Sequence, residues 1–141
     1  MVQRILMICL CLSLYAGTSA APNRRTEISC LRHTPLFAVG DIGFMGATST
    51  PEKSLQALLG RPGATGCFVA LLRTATLEGQ LYALLGLRLT DRRIFLREEP
   101  HYLRMKRRVM WASADIVLSV PAGLVAKKIA RGDYDARLMR D

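Results

Sequence analysis

Eight basic side chains fall within residues 88–108: Arg88, Arg92, Arg93, Arg97, Arg104, Lys106, Arg107 and Arg108. Asp91, Glu98 and Glu99 are the acids that oppose them. Tyr102 and Trp111 flank the densest part, YLRMKRRVMW. Guanidinium groups form forked hydrogen bonds to carboxylates and phosphates. Arg beside aromatic rings suits phosphate contact with base stacking. It also suits a membrane surface, where Trp sits at head-group level. A third reading is a solvated face, with Tyr102, Leu103 and Trp111 packed inward under Arg stems. The binding candidates are therefore Arg97, Arg104, Lys106, Arg107, Arg108 and Trp111. A formal net charge of +9 favours an anionic partner. Yet 16 of the 20 basic residues are Arg, a bias that also fits plain solubility charge.

Catalytic constellations are scarce. Glu98-Glu99 is an adjacent acidic pair, in LREEPHY with Arg97 and His101. Glycoside hydrolysis needs two carboxylates facing each other across a bond. Neighbours on a helix point in different directions, so a solvated, salt-bridged turn is expected. A small envelope hydrolase built on Glu98, Glu99 and His101 is the alternative, and a cleft holding them would favour it. Cys30 and His33 have Cys-x-x-His spacing, but zinc wants four ligands or three plus water. The other candidates, Cys67 and His101, are scattered, so no metal and no cofactor is expected. Cys67 could serve as a thiol nucleophile with His101 as base, although nothing in the sequence orients them. GDIGFMG, residues 40–46, fits neither phosphate-cradling glycine pattern and reads as a turn-rich linker.

The elements around these residues begin with an export signal. Arg4 precedes ILMICLCLSLY, an apolar run of eleven, and AGTSAAP offers small residues for cleavage after Ala20. The run is shorter than the about 20 residues a membrane span needs. Residues 1–20 are read as a signal peptide, with an uncleaved anchor as the alternative. No transmembrane span remains after its removal. Loss of Arg4 would reduce the charge from +9 to +8. Cys30 and Cys67 are then the remaining cysteines. In an oxidising compartment they could close a loop of about 36 residues, worth about 3–4 kcal/mol. Two unpaired thiols are the other reading.

Residues 21–50 read as an irregular lead-in and Gly-rich loop, residues 51–132 as an α-helical domain, and 133–141 as a polar tail. STPE at 49–52 has capping-box spacing and starts a helix near 51. A second runs over about 64–73. Thr76 caps a third, and Asp91 starts a fourth piece that Pro100 breaks. VMWASADIVLSV, 109–120, is ambiguous between strand and loop. GLVAKKIARG closes with a helix stopped by Gly132. The fold class expected is mainly α, a compact bundle of about five short helices.

The third helix lies in TLEGQLYALLGLRLTD, residues 76–91. At 100° per residue, Leu77, Leu81, Leu84 and Leu85 share one face, and Gly79, Ala83 and Gly86 form a stripe opposite. A short helix apolar nearly all round is a buried one, and its small stripe lets a neighbour approach. ALLRTATLEGQLYALLGLRLTD, residues 70–91, resembles one unit of a HEAT-like or armadillo-like α-solenoid. SLQALLGRPGATGCFVALL reads as a degenerate partial unit. The phrase is also similar to the GxLYALLGL core of small exported bacterial proteins. The resemblance implies a rigid α-hairpin that presents a binding face, and it transfers no catalytic residue. No third unit aligns, so a compact bundle holding one such hairpin stands beside a true solenoid.

The function expected is a non-enzymatic interaction or scaffold module, exported to the periplasm or the outside of a bacterial cell. Its partner would be an acidic protein or an anionic envelope surface. Export argues against nucleic acid. A secreted effector is a further alternative.

Overall fold

The structure, a computed structural model, describes residues 23–139. The signal peptide assigned to residues 1–20 lies outside the described residues. Among these are seven helices and a four-stranded sheet. The order is α1 (Arg24–His33), β1 (Phe37–Ile42), β2 (Ala47–Thr48), α2 (Thr50–Leu59), α3 (Ala64–Thr74) and α4 (Leu77–Thr90). Then follow α5 (Arg92–Leu103), β3 (Arg108–Ala114), β4 (Ile116–Pro121), α6 (Ala122–Arg131) and α7 (Asp135–Leu138).

This mixed α/β architecture corrects the expected mainly-α bundle of five helices. The sheet runs β2-β1-β3-β4, with β1 and β3 parallel and both outer pairs antiparallel. The central pair joins Phe37 to Trp111 across four intervening helices. Local periodicity carries no trace of such a contact. Phe37, Ala38 and Val39 are all buried, so β1 lacks the alternation that marks a half-exposed strand. The segment read as an irregular lead-in holds α1, β1 and β2. The apolar stripe of α1 is thin, with only Glu27 and Leu31 buried, but Asn23 caps its start by accepting from Arg25 N–H. The ambiguous 109–120 stretch is the β3–β4 hairpin.

Helix α4 is the centre of the core. Leu77, Gly79 and every residue from Leu81 to Leu87 are buried. Its N-cap Thr76 accepts from Gly79 N–H at 3.2 Å and donates to Thr34 C=O at 2.6 Å, which ties α4 to the end of α1. The small stripe receives two different helices. A methyl at Gly79 would meet the Leu31 carbonyl of α1, and one at Gly86 would meet the Phe68 ring of α3.

The sheet is pinned to this core through buried polar groups. Tyr82 on α4 accepts from Ala38 N–H at 2.8 Å and donates to Ala38 C=O at 3.0 Å. Burial pushes its phenol up to about 12. Ser49 caps α2 by accepting from Glu52 N–H at 3.1 Å. The Glu52 carboxylate does not close a capping box. It is fully buried, accepting from Gly40 N–H at 2.9 Å and from Arg137 Nε at 2.8 Å. Arg137 also reaches Asp41 and Thr48, at 2.6 and 3.1 Å. The expected polar tail is thus docked: Tyr134 is buried edge-on against Phe37, and α7 clamps the β1–β2 end of the sheet.

Candidate functional site

The densest basic residues sit on the turn between α5 and β3. Met105 N–H donates to Tyr102 C=O at 3.0 Å, closing the end of α5. The first N–H groups of α6 then hold the turn: Gly123 donates to Met105 C=O at 3.0 Å and Ala122 to Arg107 C=O at 2.8 Å. Gly123 permits this approach, because a Cβ there would stand 2.6 Å from the Leu103 carbonyl oxygen. The backbone is therefore fixed while the side chains of Arg104, Lys106 and Arg107 lie exposed. Neither Lys106 nor Arg107 has a side-chain hydrogen bond or ion pair among the described residues. Arg104 makes a single exposed bond, from Nε to Pro100 C=O at 3.2 Å.

Other members of the basic stretch have been drawn into the fold. Arg88 donates to both carboxylate oxygens of Asp135 and to Ala130 C=O, and its guanidinium lies 5.7 Å from the Phe95 ring centre. It is a structural clamp. Arg108 spans its own hairpin, donating from Nε to Ser119 Oγ at 3.0 Å and from its terminal nitrogen to Ser119 C=O. Trp111 is half-buried, donates to Tyr134 Oη at 3.3 Å, and lies under the Lys128 ammonium at 5.5 Å. Of the six sequence candidates, the turn brings together Arg104, Lys106 and Arg107. Arg108 is engaged with Ser119, Trp111 packs against the core, and Arg97 lies elsewhere on α5.

Arg97 and Glu98 form an exposed pair at 2.9 Å beside a groove of about 230 Å³ between α3, α4 and α5. Arg73, Gln80, His101 and Tyr102 line it as well, whereas Glu99 does not. Tyr102 donates to Gln80 Oε1 at 3.0 Å, and burial, aided by the Glu98 charge, pushes its phenol up to about 12. It stays protonated at neutral pH and cannot act as a base there. The expected acidic pair is thus split, with one carboxylate at the groove and one outside it. Cys30 and Cys67, weighed as a disulfide, are both free thiols and half-buried. Among the described residues no group of three or more His, Cys, Asp or Glu could hold a metal ion.

The surface that sequence reading missed is strand β4. Ile116, Val117 and Leu118 are 56, 56 and 48 % exposed, so apolar side chains face solvent on both sides of one strand. The signal available was IVLSV, a chargeless run with no alternation. Ambiguous between strand and loop, it gave no hint of an open edge.

No protein-family model, curated protein or solved structure matches this chain. No described helix is long and apolar enough to cross a membrane.

Proposed function

We propose that this protein is a non-enzymatic interaction module of the bacterial envelope, meeting an anionic partner through Arg104, Lys106 and Arg107. The observation that supports it is the state of the basic turn. Its cations are exposed, two of them have no partner among the described residues, and the backbone beneath them is fixed by α6. A rigid platform loses little conformational entropy when an anion docks, which favours binding. Arg88 and Arg137, by contrast, have spent their charge inside the fold. The apolar run at Ile5–Tyr15 adds export to this reading.

The test compares the native protein with a variant carrying Arg104→Ser, Lys106→Ser and Arg107→Ser. Retention is measured on phosphatidylglycerol vesicles and on immobilised polyglutamate. Loss of retention on either surface supports the proposal and tells lipid from acidic protein. Unchanged retention on both refutes it. A hydrolase is the second reading, favoured by the groove that holds Glu98 and His101. It requires that Glu98→Gln abolish a turnover of cell-wall glycans that the native protein displays.

A further inference from the structure

The geometry points to β4 as a self-association edge, where two copies of this chain pair their β4 strands antiparallel about a two-fold axis at Leu118. The pairing of β3 with β4 decides which groups are free. Ala122 N–H bonds Arg107 C=O, and the register runs on through Val109 to Val120, Trp111 to Leu118 and Ser113 to Ile116. Antiparallel ladders alternate, so these pairs exchange hydrogen bonds and the residues between them point the other way. Val117 and Ser119 therefore turn their N–H and C=O groups to the open side of the sheet.

Sheet edges are usually protected by shortness, charge or cover. The β2 edge is short, being two residues long, and the charged Arg137 lies against its Thr48 side chain. The β4 edge has no charged residue from Ile116 to Pro121; Pro121 blunts its end, and the Arg108 guanidinium reaches across from β3 to the Ser119 carbonyl.

A second copy of this chain fits that edge better than an arbitrary strand, because β4 is complementary to itself. With the axis at Leu118, the outward groups of Val117 face those of Ser119 in the second copy. Leu118 meets Leu118, and Ile116 meets Val120. Ile116 and Leu118 thus gain direct apolar neighbours on one face, while on the other Val117 comes diagonal to Val117 of the second copy, with Met110 at 39 % exposure on the same face. Charge complements as well. Asp115 of the second copy comes opposite Pro121, which pairs with Arg108 in the same sheet. Two strand spacings put Asp115 and Arg108 about 10 Å apart at Cα, within reach of an Arg–Asp pair. Asp115 is exposed at the hairpin tip and makes no ion pair among the described residues. It can draw Arg108 away from the Ser119 carbonyl that strand pairing requires. An isologous contact of this kind closes as a dimer rather than growing into a fibre.

Sedimentation velocity of the native protein over a wide concentration series tests this. The expected result is a reversible monomer–dimer equilibrium. Val117→Lys and Asp115→Arg should each weaken it about tenfold, since each acts twice per dimer. Adding Arg108→Asp to Asp115→Arg should restore it. The triple serine variant of the basic turn should dimerise like the native protein, which separates this inference from the binding proposal. A protein that stays monomeric throughout overturns the inference, as does a dimer indifferent to both single variants. Should Val117→Lys lose its circular dichroism, Asp115→Arg at the exposed turn decides alone.

Discussion

Replacing Gly79 by Ala should weaken this protein, although alanine is the better helix former. Propensity alone would favour the change by about 1 kcal/mol. The added methyl, however, would lie 2.1 Å from the Leu31 carbonyl oxygen and 2.8 Å from Ala75 Cβ. The first of these is backbone, so no rotamer can relieve it. Nor can α1 simply back away. Thr76 N–H holds Arg32 C=O at 2.9 Å, and Thr76 Oγ holds Thr34 C=O at 2.6 Å. Overpacking of this kind costs about 1–3 kcal/mol, and each of those two bonds, if broken, about 1 more. The net expectation is a loss of about 2 kcal/mol. Gly66 supplies the control. It lies within α3 and is exposed, and a methyl there meets no atom within 4 Å. Gly66→Ala should therefore stabilise by about 1 kcal/mol. Urea unfolding followed by circular dichroism reads both, the midpoint falling for Gly79→Ala and rising for Gly66→Ala. Midpoints that rise together would refute the claim that α1 packs on the small stripe of α4.

Ala114 sits at φ 50° in the two-residue β3–β4 turn, a conformation that costs an L residue about 1–2 kcal/mol. Ala114→Gly should raise the urea midpoint by an amount worth about 1 kcal/mol. Arg137→Ala strands the buried Glu52 carboxylate and should cost about 2–3 kcal/mol by the same assay. Tyr82 is raised by burial from 10.0 to about 12. A group with a raised folded pKa contributes stability below its unfolded value and loses it as pH rises through the folded one. Stability should hence fall between pH 10 and about pH 12. Tyr82→Phe should flatten that fall in a pH series of urea midpoints, while losing about 1–3 kcal/mol at neutral pH for the Ala38 N–H left without its acceptor; Ala38 C=O keeps the Ser49 hydroxyl at 2.7 Å.

The parts of the fold that could be read from sequence were those with local causes. Ser49, Thr76 and Asp91 cap helices as their spacing suggests, each accepting from N–H groups two or three residues on. Gly132 ends α6 at φ 82°. The apolar circumference of α4 marked it as buried, and it is. What escaped was set by distant contacts. Strand β1 looks irregular because its polarity is decided by burial on both faces, and its partner lies four helices away. Helix α7 looked like a tail because its worth rests on Arg137 reaching Glu52, 85 residues earlier. Pro100 was expected to break α5, but it falls in the last turn, where α5 runs on to Leu103. Within the basic stretch, composition could not tell Arg88, bound to Asp135, from Arg107, which has no partner among the described residues. That sorting needs the tertiary structure.

The central claim is that the fixed basic turn binds anions. Its most direct measurement is the dissociation constant of the native protein and of the triple serine variant on phosphatidylglycerol vesicles and polyglutamate, followed across salt concentration. Each cation that contacts the partner releases counterions and steepens the fall of affinity with salt. Tight binding at low salt is expected for the native protein on one of the two surfaces, with a steep salt dependence. The triple variant should bind more weakly and with a shallower slope. Equal affinity and equal slope for the two proteins would contradict it.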